Sequence, residues 1–141
     1  MAKRVRIFVD FWNFQIEWNR RSKGAKCNWA SLPKVLVDSA RQKLPNMDDL
    51  EFEEIRVYAS VAPQGDAPLR GWLDNFLDRM PGFHVEVRER IRKTVELHCR
   101  SCSKITNACT CGTAYTKTEE KGIDTAIATD LLSLACLGGW L

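Results

Sequence analysis

The chain has 141 residues, of which 45% are hydrophobic and 28% charged. This composition predicts one globular domain and excludes a disordered chain, because a domain of this size buries roughly 68% of its unfolded surface. No apolar run approaches the ~20 residues of a membrane span, and the first one is too short for a signal peptide. We therefore expect a cytoplasmic protein without membrane contact. The net charge of +3 is too small to indicate a nucleic-acid partner by itself.

The first half of the chain alternates between strand and helix patterns. A strand over Lys3–Asp10 becomes fully apolar just before its final carboxylate. A loop around Gly24 is predicted next, and it carries basic residues at Arg20, Arg21, Lys23 and Lys26. A helix then begins after Ser31, a favourable cap, and stops at Pro45.

The second half continues this alternation and adds an insert. The second strand covers Glu54–Ala62, and a helix begins after Asp66 and ends at Pro81. From Phe83 to Leu97 apolar side chains fall on odd positions, which predicts a long strand, or two joined strands, with one apolar and one largely basic face. A last helix covers residues 122–137, with Leu131 among its inward side chains. Strands separated by helices predict an α/β sandwich with a mainly parallel sheet.

Asp10 and Asn13 lie where the first strand ends. Ligands bind at the carboxyl ends of strands in such sheets, and a carboxylate there needs a partner. One interpretation is an Mg²⁺ or Mn²⁺ ion on Asp10, with Asn13 positioning water or phosphate. The other is an ordinary helix cap.

A second acidic cluster opens the last helix. Gly122 permits a sharp entry, Asp124 lies in the first turn, and Asp130 follows six residues later. Six residues turn an ideal helix by about 600°, so these two carboxylates do not share a face. Asp124 is the candidate metal ligand, or else a charge that compensates the helix dipole. Asp130 is expected to orient a neighbour or pair with an arginine.

Together these clusters resemble the NYN domains, the LabA-like branch of the PIN-like nuclease group. The resemblance rests on Asp10 followed by Asn13 after an apolar strand, and on Lys121-Gly122-Ile123-Asp124 followed by Asp130. It implies a three-layer PIN-like sandwich over residues 1–141 and a metal-dependent ribonuclease that hydrolyses RNA. By this resemblance Asp10, Asn13, Asp124 and Asp130 are catalytic, and Asp10 and Asp124 hold Mg²⁺ or Mn²⁺.

The end of the chain departs from the family pattern, in which a later strand adds another carboxylate. After Asp130 the sequence is apolar and stops at Leu141. We expect a domain that is incomplete at its C-terminus, a partner chain that completes the sheet, or a module that binds RNA or protein without cleavage. An apolar end of this kind also favours self-association into a homo-oligomer.

Residues 98–112 form a cysteine-rich insert. Its four thiols are Cys99, Cys102, Cys109 and Cys111. Four thiols at short spacing predict a tetrahedral structural Zn²⁺ site that folds a projection without a core of its own; His98 could replace one thiol. Free thiols or a disulfide are the alternatives. Isolated Cys136 is expected in the core.

Two further features suit RNA. A basic strip leads into the insert and could contact phosphates, or be a solvated strand face balanced by glutamates. Its residues are Arg88, Arg90, Arg92 and Lys93. Trp12, Trp18 and Trp29 could stack on unpaired bases, or belong to the core.

Overall fold

The structure is a computed structural model that describes residues 2–137, and three parallel strands form its central sheet. The strands lie in the order β1-β2-β3, with bounds β1 (Lys3–Asp10), β2 (Leu50–Val61) and β3 (Phe83–Glu89). The helices are α1 (Phe11–Ser22), α2 (Leu32–Lys43), α3 (Ala67–Trp72) running into a π-helical turn (Leu73–Leu77), and α4 (Ile123–Leu137). The predicted α/β class with a parallel sheet is confirmed.

One face of the sheet carries the main core. Successive side chains of a strand point to opposite faces, so alternate residues of the central strand β2 point into this core. These residues of β2 are fully buried, and they pack against the first residue of α1, the start of α2 and the π-helical turn. The buried residues of this core are Val9, Phe11, Trp29, Leu32, Ile55, Val57, Ala59, Val61, Leu73, Leu77 and Phe83. Burial on this scale makes apolar packing the main stabilising term of the fold.

The opposite face of the sheet is covered by α4. Ile123 and Ala126 of this helix are buried against Tyr58 of β2, and Phe8 of β1 packs beside them. The central strand is therefore covered on both faces, and the sheet has helices on each side.

The stretch predicted as a loop after the first strand begins with a helix. Asp10 caps α1, whose first residue Phe11 is buried in the core, and the helix continues through Arg20 and Arg21 in its last turn. The loop prediction was wrong for these two arginines, whose charge is favourable at a helix C-terminus. The left-handed residues Lys23 and Gly24 then end the helix.

Of the two alternatives for the stretch from Phe83 to Leu97, the structure excludes one long strand, because β3 ends at Glu89 and shorter strands follow it. Ile91–Thr94 (β4) pairs antiparallel with Thr116–Glu119 (β7), and Leu97–His98 (β5) pairs with Ile105–Thr106 (β6). The projection thus begins at Ile91 rather than at residue 98. Ile91 and Leu97, which belong to the predicted apolar face, are 45% and 49% exposed. The alternation of apolar residues predicts a face of the strand, but it does not show whether another element covers that face.

Part of the apolar surface of α4 faces solvent. Leu131, predicted to point inward, is 48% exposed, and Cys136, predicted in the core, is also exposed. The apolar end invoked for self-association extends to Leu141, and its residues 138–141 lie outside the described residues. Within residues 2–137, every helix falls short of the length and apolarity that a membrane span needs.

Gly82 in the turn before β3 is expected to be intolerant of alanine. Its φ is +78°, and an added Cβ would lie 2.8 Å from Cε1 of Phe52. Gly24 has a similar φ of +89° but open space around it. Left-handed backbone costs alanine about 1–2 kcal/mol at either site. We expect Gly82→Ala to lower the free energy of unfolding in urea by about 1 kcal/mol more than Gly24→Ala; equal losses would show that the ring yields freely.

Candidate functional site

The carboxyl ends of the three strands meet at one edge of the sheet, and the α4 face of that edge is polar. In the strand register Asp10, Tyr58 and Glu86 form one row across β1, β2 and β3. Ser60 and Arg88 form the next row toward the edge. We call this region the carboxyl edge. The alternation that sends Val9 and Val57 into the core places these polar residues on the α4 face.

Asp10 is both the last residue of β1 and the cap of α1. Its Oδ1 accepts a hydrogen bond from the backbone N–H of Asn13 at 3.0 Å, and its Oδ2 accepts one from Asn13 Nδ2 at 3.0 Å. The helix-cap interpretation of Asp10 is therefore confirmed, a contact that contributes about 1 kcal/mol. Each carboxylate oxygen keeps a further lone pair, so the cap leaves Asp10 able to accept another partner.

The beginning of α4 is held over the same edge. Arg88 Nη1 donates to the carbonyl oxygen of Gly122 at 3.2 Å, and the hydroxyl of Ser60 donates to the Glu120 carboxylate. Ile123 is buried against Tyr58, the register partner of Asp10. Asp124, the next residue along, lies exposed in the first turn. The two predicted ligands thus come to the same face and the same end of the sheet.

Asp10 and Asp124 offer carboxylate oxygens, which are the donors that a hard cation prefers. Within residues 2–137 no group of three or more His, Cys, Asp or Glu side chains could hold a metal ion. Mg²⁺ does not require such a cage, since it is usually held by one or two carboxylates together with water and substrate phosphates. The oxygen donors of Asp10 and Asp124 are of the kind that this cation prefers.

Asp130 contacts β2 through Tyr58 and Arg56. Its Oδ2 accepts a hydrogen bond from the Tyr58 hydroxyl at 2.7 Å and lies 3.4 Å from Arg56 Nη1. Burial is the main reason that the pKa of Tyr58 is raised above its ordinary value, and the hydrogen bond to Asp130 raises it further. The expectation that Asp130 pairs with an arginine is confirmed. Its position gives it a structural contact with the sheet.

A cluster around Ser60 completes the edge, and sequence reasoning missed it. Ser60 is 1% exposed; its hydroxyl donates to Glu120 and accepts from Arg90 Nε at 3.1 Å, while its carbonyl oxygen accepts from Trp12 Nε1 at 2.7 Å. The Arg90 guanidinium lies 5.1 Å from the centre of the Trp12 ring. A lone serine in an apolar strand was the available signal, because a buried hydroxyl needs partners.

The basic strip is not one continuous face. Arg88 pairs with Glu86 at 2.7 Å and belongs to β3, whereas Lys93 pairs with Glu119 at 2.5 Å on the ribbon of β4 and β7. Arg90 joins the Ser60 cluster, and Arg92 lies exposed on the ribbon. The balance by glutamates of the same strand, left open from the sequence, is therefore confirmed at Arg88, whereas Lys93 is balanced by Glu119 of the neighbouring strand. Of the four basic residues, only Arg88 and Arg90 reach the carboxyl edge.

The insert holds two similar tight turns, each with two cysteines. In the first, Cys99 N donates to Lys104 O and Ser103 N to Cys99 O; in the second, Cys109 N donates to Thr113 O and Gly112 N to Cys109 O. A left-handed residue, Ser103 or Gly112, follows the second cysteine of each turn.

The four thiols of the insert are free and exposed. Hydrogen bonds from the Cys102 and Ser101 backbone lower the pKa of Cys99, and a hydrogen bond with the Thr113 hydroxyl lowers the pKa of Cys111 to about 7. Thiolates, the form that binds metal, are favoured by both shifts.

Comparison of the chain with protein-family models, with curated proteins and with solved structures finds no match. The resemblance to NYN domains therefore rests on the two motifs, and its functional content stays a prediction. What the structure adds is the position of these motifs at one edge of a parallel sheet.

The contact between Tyr58 and Asp130 predicts a pH effect on stability. Because the pKa of Tyr58 in the folded protein is raised above its ordinary value of 10.0, the unfolded chain loses this proton first, and stability falls as pH rises above 10. Below that pH the contribution is complete. We expect the free energy of unfolding in urea to fall between pH 9 and 11 by up to about 1.4 kcal/mol per pH unit more in the wild type than in Tyr58→Phe. Tyr115→Phe should keep the wild-type slope; a slope unchanged in Tyr58→Phe would contradict the assignment.

Proposed function

We propose that the chain is a metal-dependent ribonuclease of the NYN, PIN-like type, with its centre at the carboxyl edge. The observation that carries this proposal is the attachment of the first turn of α4 to the sheet. Arg88 holds the Gly122 carbonyl, and Ile123 packs on Tyr58, whose strand neighbour is Asp10. Two carboxylates from distant parts of the sequence thereby come to one end of one face.

A divalent cation at Asp10 and Asp124 would neutralise charge on an RNA phosphate and make a water molecule more acidic. The residues of the chain prepare this position. Asn13 holds both oxygens of the Asp10 carboxylate in a fixed orientation. Arg88 and Arg90 place positive charge at the same edge, where it favours a phosphate backbone.

With a divalent cation and a water molecule, hydrolysis of a phosphodiester would use the groups that this edge offers, namely carboxylate ligands and cationic side chains. Stabilisation of charge on the phosphate is the main requirement, and no nucleophilic side chain is needed. The buried Ser60 hydroxyl is committed to Glu120 and Arg90, and serves to connect β2 with the segment before α4.

The second candidate function is an RNA-binding module without cleavage. It is favoured by the hydrogen bonds that already occupy both oxygens of Asp10, and by the lack of a three-member acidic group within residues 2–137. The two candidates share the same RNA-facing edge and differ in whether a metal ion is held there.

Cleavage of RNA should require both predicted ligands. We expect Mn²⁺-dependent cleavage of a labelled single-stranded RNA by the wild type, reduced about 100-fold or more in Asp10→Asn and in Asp124→Asn, because each loses several kcal/mol of charge stabilisation. Asparagine caps a helix as well as aspartate does, so Asp10→Asn should keep the fold. Asp130→Asn, which acts through Tyr58, should keep most of the activity.

Asp48→Asn serves as the charge-matched control, since Asp48 is exposed and precedes β2 at the amino end of the sheet. Unfolding curves of all four variants must show folded protein at the assay temperature. Binding of RNA without cleavage by the wild type would select the second candidate, and cleavage that survives in Asp10→Asn and Asp124→Asn would reject the proposed centre.

We also propose that the insert binds one structural Zn²⁺ through its four thiols. They supply the donor set of a tetrahedral zinc site, on two tight turns with matching hydrogen bonds. No three of these groups come together within residues 2–137, so binding would have to draw the two turns toward each other. The half-exposed Leu97 and Ile105 support this proposal, because the projection has little apolar core and a bound metal would stabilise it.

Metal analysis of the purified protein should find about one zinc per chain. Cys99→Ser and Cys109→Ser, one from each turn, should lose it, because three thiols hold the ion far less tightly. Cys136→Ser, an exposed cysteine of α4, is the matched control and should retain the zinc. Zinc-free wild-type protein with four free thiols, or with a disulfide in the insert by mass spectrometry, would overturn this assignment.

A further inference from the structure

A groove of about 630 Å³ lies beside the carboxyl edge, on the side of the sheet that carries the main core. It is formed by α1, the loop over residues 24–30, and the helical segment that begins with α3. Five aromatic residues are among those that line it, namely Phe11, Trp12, Trp29, Trp72 and Phe76. This volume is in the range of pockets that hold small organic groups.

The outer wall of the groove is a stacked aromatic pair. The rings of Trp72 and Phe76 lie 6.0 Å apart with an interplanar angle of 26°, and Phe76 is 54% exposed. An aromatic ring held in place by another ring, with half of its surface in water, offers a flat face to a planar partner.

Polar groups of the kind that contact nucleotides lie along the same groove. Gln15 donates to the Asn19 side chain at 2.9 Å, so both amides face one region of the wall. Asn28 uses its Oδ1 to accept from Ser31 N at 3.3 Å, and its amino group remains a donor. Lys26 adds a positive charge to the lining. Aromatic faces, amides and a cation together suit an unpaired base with its phosphate better than an aliphatic peptide.

The groove is connected to the proposed centre through Trp12. This residue lines the groove, follows Asp10 by two positions, and donates from Nε1 to the carbonyl oxygen of Ser60 at the carboxyl edge. Arg90 lies over the same ring. A strand whose phosphate reaches Arg90 is therefore close enough to place a neighbouring base in the groove.

We infer that this groove binds an unpaired nucleotide of an RNA strand, with its base against the Phe76–Trp72 pair and its phosphate near Lys26. The inference rests on the proposed function, which it deepens by restricting the substrate to single-stranded RNA. A duplex keeps its bases stacked inside the helix, so a base can enter the groove only at the free-energy cost of unstacking it.

Binding of fluorescein-labelled eight-nucleotide RNA, measured by anisotropy in buffer without Mg²⁺ or Mn²⁺, tests the groove without cleavage. We expect Phe76→Ala to weaken single-stranded RNA binding at least about 5-fold, and Phe76→Trp to restore it. Leu132→Ala removes a side chain that is 63% exposed on α4, on the other face of the sheet, and should bind like the wild type. Single-stranded RNA should also quench tryptophan fluorescence, and a duplex of equal length should bind more weakly.

The outcomes separate the groove from the proposed centre. Wild-type affinity in folded Phe76→Ala, equal affinity for single strands and duplex, or no binding of single-stranded RNA would each overturn the inference. Dependence on Phe76 with no Mn²⁺-dependent cleavage would support the groove while rejecting the nuclease. Cleavage that needs Asp10 but is indifferent to Phe76 would do the reverse.

Discussion

The contact between the start of α4 and the sheet is the constraint on which the proposed site depends. The covered face of the sheet buries Tyr58 and Ile123 together, and this apolar contact fixes where the first turn of α4 must lie. The left-handed Gly122, with φ of +84° and its carbonyl oxygen on Arg88, lets the chain enter the helix at that point. Asp124 is positioned as a consequence, because it directly follows the residue that is packed.

Asp10 caps α1, and this structural role is compatible with the chemical role that we propose for the same side chain. A carboxylate that caps a helix is held by short, directed hydrogen bonds, and here they come from the backbone and side chain of Asn13. The same bonds that stabilise α1 fix the orientation of the carboxylate at the carboxyl edge. Pre-orientation of this kind lowers the cost of arranging a ligand when a cation or phosphate arrives.

The two faces of the sheet have different parts in the proposed function. The α4 face presents carboxylates and arginines near its edge, where charge can be neutralised. The opposite side continues into an aromatic groove, where Phe76 and Trp72 present ring faces. Trp12 joins the two regions, since its ring lines the groove and its N–H contacts Ser60. An RNA strand would be bound through charged groups on one side and through base stacking on the other.

The sequence by itself determined the parallel α/β class, the end of the first strand at Asp10, and the pairing of Asp130 with an arginine. These follow from local periodicity and helix geometry, which depend on neighbours close in the chain. Only the tertiary structure decided that α1 follows Asp10 directly, that the third strand stops at Glu89, and that Ser60, Arg90 and Glu120 meet. It also decided that Phe76 is exposed beside Trp72. The physical reason is that exposure and long-range pairing depend on which element covers which face. A pattern of apolar residues predicts a face that is to be buried, but it does not predict which element packs against that face.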